Sequence, residues 1–252
     1  MYDMKYILKK ISQTKINLHQ ISFSFHEKNH IRSMSKGLVN NEMLKIINRI
    51  SVSLIPGCTL YVLGRNGTGK STFFRCIMNL LYLISGNIDT NIQQYLRYSI
   101  KNLNYLNNFL SNVIYVDFSQ LAHYSVSEEK NNNISTVLIE SVYWMTLTSS
   151  IRNISIEKMI HNFRTMEIDQ FKNQFVRQLS LGQNKRIKLL KLLSIDKPLW
   201  ILDEPFIGLD IKYISFLTSL MYLYKEKGGI ILLATHQQLE IIDFYELNLD
   251  TK

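Results

Sequence analysis

The chain has 252 residues, which is enough for one sizeable domain or two small ones with a buried core. Hydrophobic residues make up 46% and charged residues 19% of it, and this balance excludes a disordered or collagen-like chain. No stretch approaches the roughly 18 apolar residues that a membrane-spanning helix needs. We therefore expect the chain not to cross a membrane on its own.

The composition is basic, with 29 Lys and Arg against 20 Asp and Glu and a net charge of +9. This sign favours nucleic acid, a phosphate-bearing ligand or an anionic membrane as partner, without choosing among them. Alanine occurs only at Ala122 and Ala234, which indicates an AT-rich genome that accounts for part of the lysine content. The two cysteines, Cys58 and Cys76, lack CxxC spacing, which argues against a disulfide framework or a cysteine metal site.

The hydropathy pattern predicts strands and helices that alternate along the chain. Strands are predicted at 16–25, 50–55, 59–63, 113–116, 199–202 and 230–234, and helices at 71–83, over most of 134–177, at 182–194 and at 211–227. The buried face predicted for the first helix comprises Phe73, Phe74, Ile77, Leu80 and Leu81. Continuous apolar strands between helices indicate an α/β fold whose mostly parallel sheet is covered on both faces.

A glycine-rich segment between the strand at 59–63 and the following helix fits G-x-x-x-x-G-K-[ST], the phosphate-binding P-loop pattern. Glycines let successive N–H groups point at phosphate oxygens, and the helix N-terminus adds positive potential. Lys70 would reach the β- and γ-phosphates, and the Ser71 hydroxyl would bind Mg²⁺. The predicted nucleotide contacts are Gly64, Arg65, Asn66, Gly67, Thr68, Gly69, Lys70, Ser71 and Thr72.

Two carboxylates follow the apolar strand at 199–202, at the end where open α/β sheets bind ligands. Asp203 can hold Mg²⁺, and Glu204 can act as the general base that polarises the attacking water. The P-loop alone does not distinguish among kinases, GTPases and ATPases.

Three further motifs narrow the choice: Leu179-Ser180-Leu181-Gly182-Gln183, then Leu209-Asp210, then His236 after a buried strand. With the P-loop and the paired carboxylates, they make five motifs in the order found in ATP-binding-cassette (ABC) ATPases: P-loop, signature, paired carboxylates, D-loop and switch histidine. The chain resembles this family from about 16 to 242. The resemblance implies one ABC domain over 1–252, with N-terminal antiparallel strands and an inserted helical subdomain at about 118–178.

The same resemblance implies ATP and Mg²⁺ as cofactors and a head-to-tail homodimer. Ser180 and the Gly182 N–H would reach the γ-phosphate held by the partner's P-loop, with Asp210 beside them, and His236 would contact that phosphate and the water. In this family a glutamine of the segment called the Q-loop follows the strand predicted here at 113–116. Gln120 lies about one residue beyond the expected position and is the candidate for this role, as a ligand of Mg²⁺ and a catalytic residue. Phe25, or else Phe23, would stack on adenine.

Narrower similarity comes from Trp200–Phe206 and from the segment that ends at His236-Gln237. These resemble the ATP-binding subunits of haem exporters in system I cytochrome c maturation. In some protists and plants, parts of this pathway are encoded in mitochondrial DNA. The resemblance implies a subunit peripheral to the inner membrane, on the matrix or the cytoplasmic face, that powers integral permease subunits. A soluble ABC ATPase of iron–sulfur cluster assembly stays open as the alternative.

Two other signals are set aside. His26-Glu27-Lys28-Asn29-His30 matches the zinc-protease pattern but enters a polar loop, where a helix is needed. A basic run at helical spacing is interpreted as a solvated face, so no direct nucleic-acid contact is expected. That run comprises Lys185, Arg186, Lys188 and Lys191.

Overall fold

The structure is a computed structural model that describes residues 15–26, 44–90, 112–118, 136–148, 156–194, 197–236 and 244–250. Its strands are β1 (Ile16–His26), β2 (Leu44–Leu54), β3 (Thr59–Leu63), β4 (Ser85–Thr90), β5 (Val113–Asp117), β6 (Leu199–Asp203), β7 (Ile230–Ala234) and β8 (Phe244–Asn248). Its helices are α1 (Lys70–Ile77), α2 (Val137–Thr148), α3 (Ile156–Thr165), α4 (Leu181–Ser194) and α5 (Ile211–Glu226), with short 3₁₀ turns at Asp169–Phe171 and Val176–Gln178.

The central sheet has five strands in the order β5-β6-β7-β3-β8, and every neighbouring pair is parallel. β6 and β7 are buried along their whole length, which explains their uninterrupted apolar sequences. The predicted parallel sheet is therefore confirmed. Because the strands are parallel, the chain leaves β3, β5, β6 and β7 at the same edge.

Both faces of this sheet are covered. Alternate residues such as Trp200 and Leu202 face a core that includes side chains of α3, α4 and α5. The intervening Leu199 and Ile201 face a second core built with α1 and the N-terminal strands. A strand's side chains alternate between faces, so one apolar run serves two cores.

The N-terminal sheet is antiparallel in the order β2-β1-β4, as the resemblance to ABC ATPases implies. β1 and β2 bury their apolar residues against α1 and the central sheet. The sequence pattern missed β4, whose residues are mostly exposed, and β8 at the sheet edge. An edge strand with little burial carries no strong alternation of hydrophobicity for a pattern to detect.

The helix predicted at 71–83 ends earlier than its hydrophobic spacing suggests. Asn79 adopts a left-handed φ of 57°, its N–H donates to the Cys76 carbonyl, and the Leu80 N–H donates to the Arg75 carbonyl. These bonds form a Schellman motif that terminates α1. Leu80 and Leu81 are consequently exposed, and the prediction that they line the buried face was wrong.

Helices occupy the described chain between β5 and β6, as predicted for 134–177. α2 and α3 both pack on α4, the helix that follows the signature motif. Within the described ranges, no helix has the length and apolarity needed to span a membrane.

Candidate active site

The candidate site lies at the edge of the central sheet where its strands end. The P-loop connects β3 to α1, Asp203 is the last residue of β6, and His236 follows β7 by two residues. Because β7 pairs with β3 on one side and with β6 on the other, the three segments that follow these strands lie close together.

The P-loop backbone needs glycine at two positions. Gly69 precedes α1 with a φ of 97°, a region that favours glycine, and the Phe73 N–H donates to its carbonyl. A Cβ on Gly64 would lie 2.5 Å from the Thr68 hydroxyl oxygen. That hydroxyl donates to the Arg65 carbonyl at 2.9 Å and so closes the loop on itself.

Lys70 extends back under the loop and is only 7% exposed. Its ammonium donates to the carbonyls of Gly64 at 2.7 Å and Arg65 at 3.2 Å. It also lies 3.5 Å from the Glu204 carboxylate. A buried ammonium lined by loop carbonyls and one carboxylate fits a site for phosphate oxygens.

Ser71 and Asp203 are directly linked. The Ser71 hydroxyl donates a 2.6 Å hydrogen bond to Oδ2 of Asp203, which is 2% exposed. Burial raises the pKa of Asp203, the Ser71 hydrogen bond opposes that rise, and the Asp117 charge adds to it. A hydroxyl and a carboxylate at this separation are the hard oxygen donors that Mg²⁺ prefers.

Glu204 is held in a strained backbone conformation, with a left-handed φ of 52°. Its N–H donates to the Ala234 carbonyl at 2.8 Å and ties it to β7. Both carboxylate oxygens are buried without a hydrogen bond of good geometry, although His236 Nε2 lies 3.0 Å from Oε1. Buried, unsatisfied acceptors beside a buried lysine suit a group that binds and polarises water.

His236 joins the P-loop to Glu204. Its Nε2 lies 2.9 Å from the Asn66 side-chain oxygen and 3.1 Å from the Lys70 ammonium. The tautomer decides whether this nitrogen donates to the oxygens or accepts from Lys70. His236 is 40% exposed in its side chain, so this is the open side of the site.

The signature residues lie at the exposed start of α4. The Ser180 hydroxyl accepts from the Gln183 N–H at 3.2 Å, while the Gln183 side-chain oxygen accepts from the Ser180 N–H at 2.8 Å. This reciprocal pair is a capping box. A Cβ on Gly182 would meet nothing within 4 Å, so the helix start is open to an approaching group.

The sequence profile of the family described as ABC transporter matches residues 47–207. The chain belongs to the ABC transporter family. Members of this family with an ATP-binding domain hydrolyse ATP, and the chain is accordingly an ATPase subunit. ABC ATP-binding subunits work with membrane permeases.

Relatives of this ABC protein include several named cytochrome c biogenesis ATP-binding export protein CcmA. The CcmA of Reclinomonas americana is 33% identical over 81% of this chain and 83% of its own length. The CcmA of Rhizobium johnstonii is 29% identical over 81% of this chain and 87% of its own length.

Solved ABC structures share the fold. A putative ABC transporter ATP-binding protein of Pyrococcus furiosus is similar with a TM-score of 0.63 at 18% identity, covering 94% of this chain and 98% of that one. The cbiO1 protein of Clostridium perfringens is similar with a TM-score of 0.58 at 21% identity, covering 88% of this chain and 78% of that one.

The structure also describes other residues of the predicted site. Arg65 is exposed, and its N–H donates to the Asp250 carboxylate. Gly67 has a φ of 84°, and Thr72 is half-buried in α1. The Asp210 carboxylate caps α5 by accepting from the Tyr213 N–H at 3.0 Å.

Two predicted ABC residues are not fully described. Gln120 lies outside the described residues, as do residues 27–30 of the set-aside zinc pattern. Phe25 belongs to β1, where its backbone pairs with Lys45, but its side chain lies outside the description. The other adenine candidate, Phe23, is fully buried against Phe73 with ring centroids 5.9 Å apart. Phe23 is therefore a core residue, and Phe25 stays the candidate.

The interpretation of the basic run on α4 as a solvated face was wrong for Lys188 and for the half-buried Lys191, whose ammonium donates to the Tyr115 carbonyl of β5. Lys188 is 4% exposed, because the apolar residues beside it turn that side of α4 onto the sheet. Its ammonium donates to the main-chain carbonyl of Asp117 at the end of β5. The side chain of Asp117 is a buried carboxylate that the sequence analysis missed. The available signal was an aspartate that ends an apolar strand, as Asp203 does.

Proposed function

We propose that this chain is the ATP-hydrolysing subunit of an ABC exporter that moves haem for cytochrome c maturation. The observation that carries the proposal is its 33% identity to a CcmA protein over 81% of this chain and 83% of that one. In this proposal residues 1–252 form one domain, peripheral to the inner membrane on its matrix or cytoplasmic face, and bind integral permease subunits.

The P-loop would bind the ATP phosphates from three sides. Loop N–H groups and the start of α1 supply fixed positive potential. Lys70, which contacts the Gly64 and Arg65 carbonyls at 2.7 and 3.2 Å, would exchange these contacts for β- and γ-phosphate oxygens. The flexible stem of a lysine allows that exchange with little movement of the loop.

Magnesium would be held by Ser71 directly and by Asp203 through water, with Gln120 as the further proposed ligand. The 2.6 Å hydrogen bond between the first two side chains places both oxygens at one point of the site. When bound, the ion neutralises charge on the phosphate oxygens. The Ser71 hydroxyl could keep its proton on Asp203 and still present a lone pair to the metal, because a hydroxyl oxygen carries two lone pairs.

Glu204 would orient and deprotonate the attacking water. Its carboxylate oxygens are buried, without a hydrogen bond, and next to Lys70 and His236. Movement of the Lys70 ammonium to the phosphates would leave Oε1 of Glu204 beside Nε2 of His236, at 3.0 Å. His236 would then contact the γ-phosphate and the same water.

The site would be completed by a second copy of the chain. Ser180 and Gly182 stand at an exposed helix start, where free N–H groups favour an anion. In a head-to-tail dimer they would bind the γ-phosphate that is held by the partner's P-loop, with Asp210 at the same interface. Hydrolysis would remove this bridging group and loosen the dimer.

Affinity purification from detergent-solubilised membranes tests the proposal. We expect the tagged chain to co-purify multi-span membrane proteins, and the Glu204→Gln variant with ATP to retain them as well. Identification of the partners by mass spectrometry is the readout. Recovery of iron–sulfur scaffold proteins and no integral membrane protein would contradict the proposal and support the soluble alternative.

A further inference from the structure

Lys188 is a buried cation that none of the proposed nucleotide contacts uses. It projects from α4 and is 4% exposed. Its ammonium donates a 2.5 Å hydrogen bond to the Asp117 carbonyl and lies 5.9 Å from the centre of the Phe118 ring. Burial of a lysine at this depth is costly, so its neighbours must offset the charge.

The peptide group that receives Lys188 is bound at both ends. Its oxygen is the Asp117 carbonyl, and its nitrogen belongs to Phe118, whose N–H donates to the Asp203 carbonyl at 2.9 Å. A chain of two hydrogen bonds therefore runs from the Lys188 ammonium through one peptide to Asp203. Such chains polarise and stiffen their members.

Two buried carboxylates meet at the same place. Asp117 and Asp203 are register partners at the ends of β5 and β6, so their Cα atoms lie about 4.8 Å apart, as in any parallel pair. Asp117 is 8% and Asp203 2% exposed, and neither charge is well screened by water. Burial lowers the pKa of Lys188, and the Asp117 charge opposes that shift.

We propose that Lys188 is a positioning residue of the ATPase site, which fixes the Asp117–Phe118 peptide against Asp203 and offsets the Asp117 charge. Asp203 can then keep its carboxylate on the Ser71 hydroxyl instead of being displaced by its neighbour. The inference rests on the proposed role of Asp203 in holding magnesium.

The position of Lys188 on α4 gives the contact a second consequence. α4 begins at the signature, directly after Ser180, and α2 and α3 pack on it. One rigid helix therefore carries the proposed trans contact at its start and supports the cis metal site two turns later.

The test compares Lys188→Met, Asp117→Asn/Lys188→Met and a matched control, Lys191→Met. Lys191 lies on the same helix and donates to the Tyr115 carbonyl at 3.1 Å, two residues before Asp117 on β5. It is therefore a lysine contact to the same strand that does not reach Asp203. Asp203→Asn is the reference for a lost metal ligand.

The first readout is the affinity for a fluorescent ATP analogue, measured with Mg²⁺ and with EDTA, and the second is kcat. Mg²⁺ should increase the ATP-analogue affinity of Lys188→Met at least about fivefold less than it increases that of wild type, and kcat should fall about tenfold. The affinity measured in EDTA should stay within about twofold of wild type. In the double variant, the Mg²⁺-dependent gain in affinity and kcat should both return to within about threefold of wild type, because the neutral amide that replaces the Asp117 carboxylate needs no cation. Lys191→Met should keep the wild-type Mg²⁺ dependence.

The proposal is overturned by wild-type Mg²⁺ dependence in Lys188→Met, by an equal loss in Lys191→Met, or by a double variant no better than the single one. If Lys188→Met does not fold, the double variant decides alone, since it must fold and keep the Mg²⁺-dependent gain. An unchanged Mg²⁺ dependence in Asp203→Asn would instead refute the proposed metal role of Asp203. None of these measurements involves a membrane partner.

Discussion

The Lys70 ammonium lies 3.5 Å from Oε1 of Glu204, and both side chains are almost fully buried. The proposed phosphate-binding cation and the proposed general base thus form an ion pair. Binding of ATP would draw the cation to the phosphates and release the carboxylate for the water, so that occupation of the site and activation of the base would be one event.

The Glu204→Gln variant tests the base. We expect it to bind ATP with near wild-type affinity and to hydrolyse it at least about 100-fold more slowly, because an amide cannot accept the proton of the water. Slow turnover should accumulate the ATP-bound dimer, measured by light scattering. A monomer with normal turnover would contradict both the base assignment and the dimer.

The Lys70→Ala variant tests the phosphate contact. Losing a charge-assisted donor at the phosphates should weaken ATP binding by at least about tenfold in equilibrium titration. The removal also leaves Glu204 buried without its cation, so the variant should unfold at lower urea concentration. Unchanged affinity would rule out the P-loop role of this lysine.

Ser180→Arg tests the trans contact. Ser180 is exposed at the start of α4, so a long cationic side chain fits on the isolated chain but blocks the approach of a second copy. ATP affinity of the monomer should stay within about threefold, while ATP-dependent dimerisation and hydrolysis are lost. Ser180→Thr, which keeps a capping hydroxyl, is the matched control. Full activity of Ser180→Arg would exclude the head-to-tail site.

Lys191 predicts a pH dependence of stability. Burial lowers its pKa to about 8 in the folded chain, with the Glu140 charge partly opposing that shift, whereas an unfolded lysine titrates near 10.4. Between these values the unfolded chain binds more protons, so the free energy of unfolding rises with pH. Between pH 7.5 and 10, the free energy of unfolding of wild type should rise on the order of 1–3 kcal/mol more than that of Lys191→Met, as measured by urea unfolding. Parallel pH profiles would show that the pKa of Lys191 is not lowered in the folded chain.

The sequence predicts the parallel sheet and the position of the candidate site because both depend on local signals. The P-loop pattern fixes a loop between a strand and a helix, and an apolar strand delivers Asp203 to the edge where β3 and β7 also end. Contacts such as the Ser71–Asp203 hydrogen bond follow once these strands are neighbours.

The errors arise where a residue's partner is remote in sequence or its backbone is unusual. Helical spacing continues through Leu80 and Leu81, but the left-handed Asn79 ends α1 before them. Lys188 looks like one residue of a basic surface run, and only the packing of α4 on β5 shows that it is buried at Asp117. Periodicity describes one element and carries no information on what covers it.

The capping box at Ser180 orders the signature turn before the proposed second copy binds. Gln183 already holds the Ser180 backbone N–H, and the hydroxyl oxygen of Ser180 is occupied by the Gln183 N–H. The hydroxyl proton and the first N–H groups of α4 stay available to an incoming oxyanion. Because the turn is ordered beforehand, closure of two copies around ATP would forfeit little conformational entropy here, and folding of this surface would not limit the association rate.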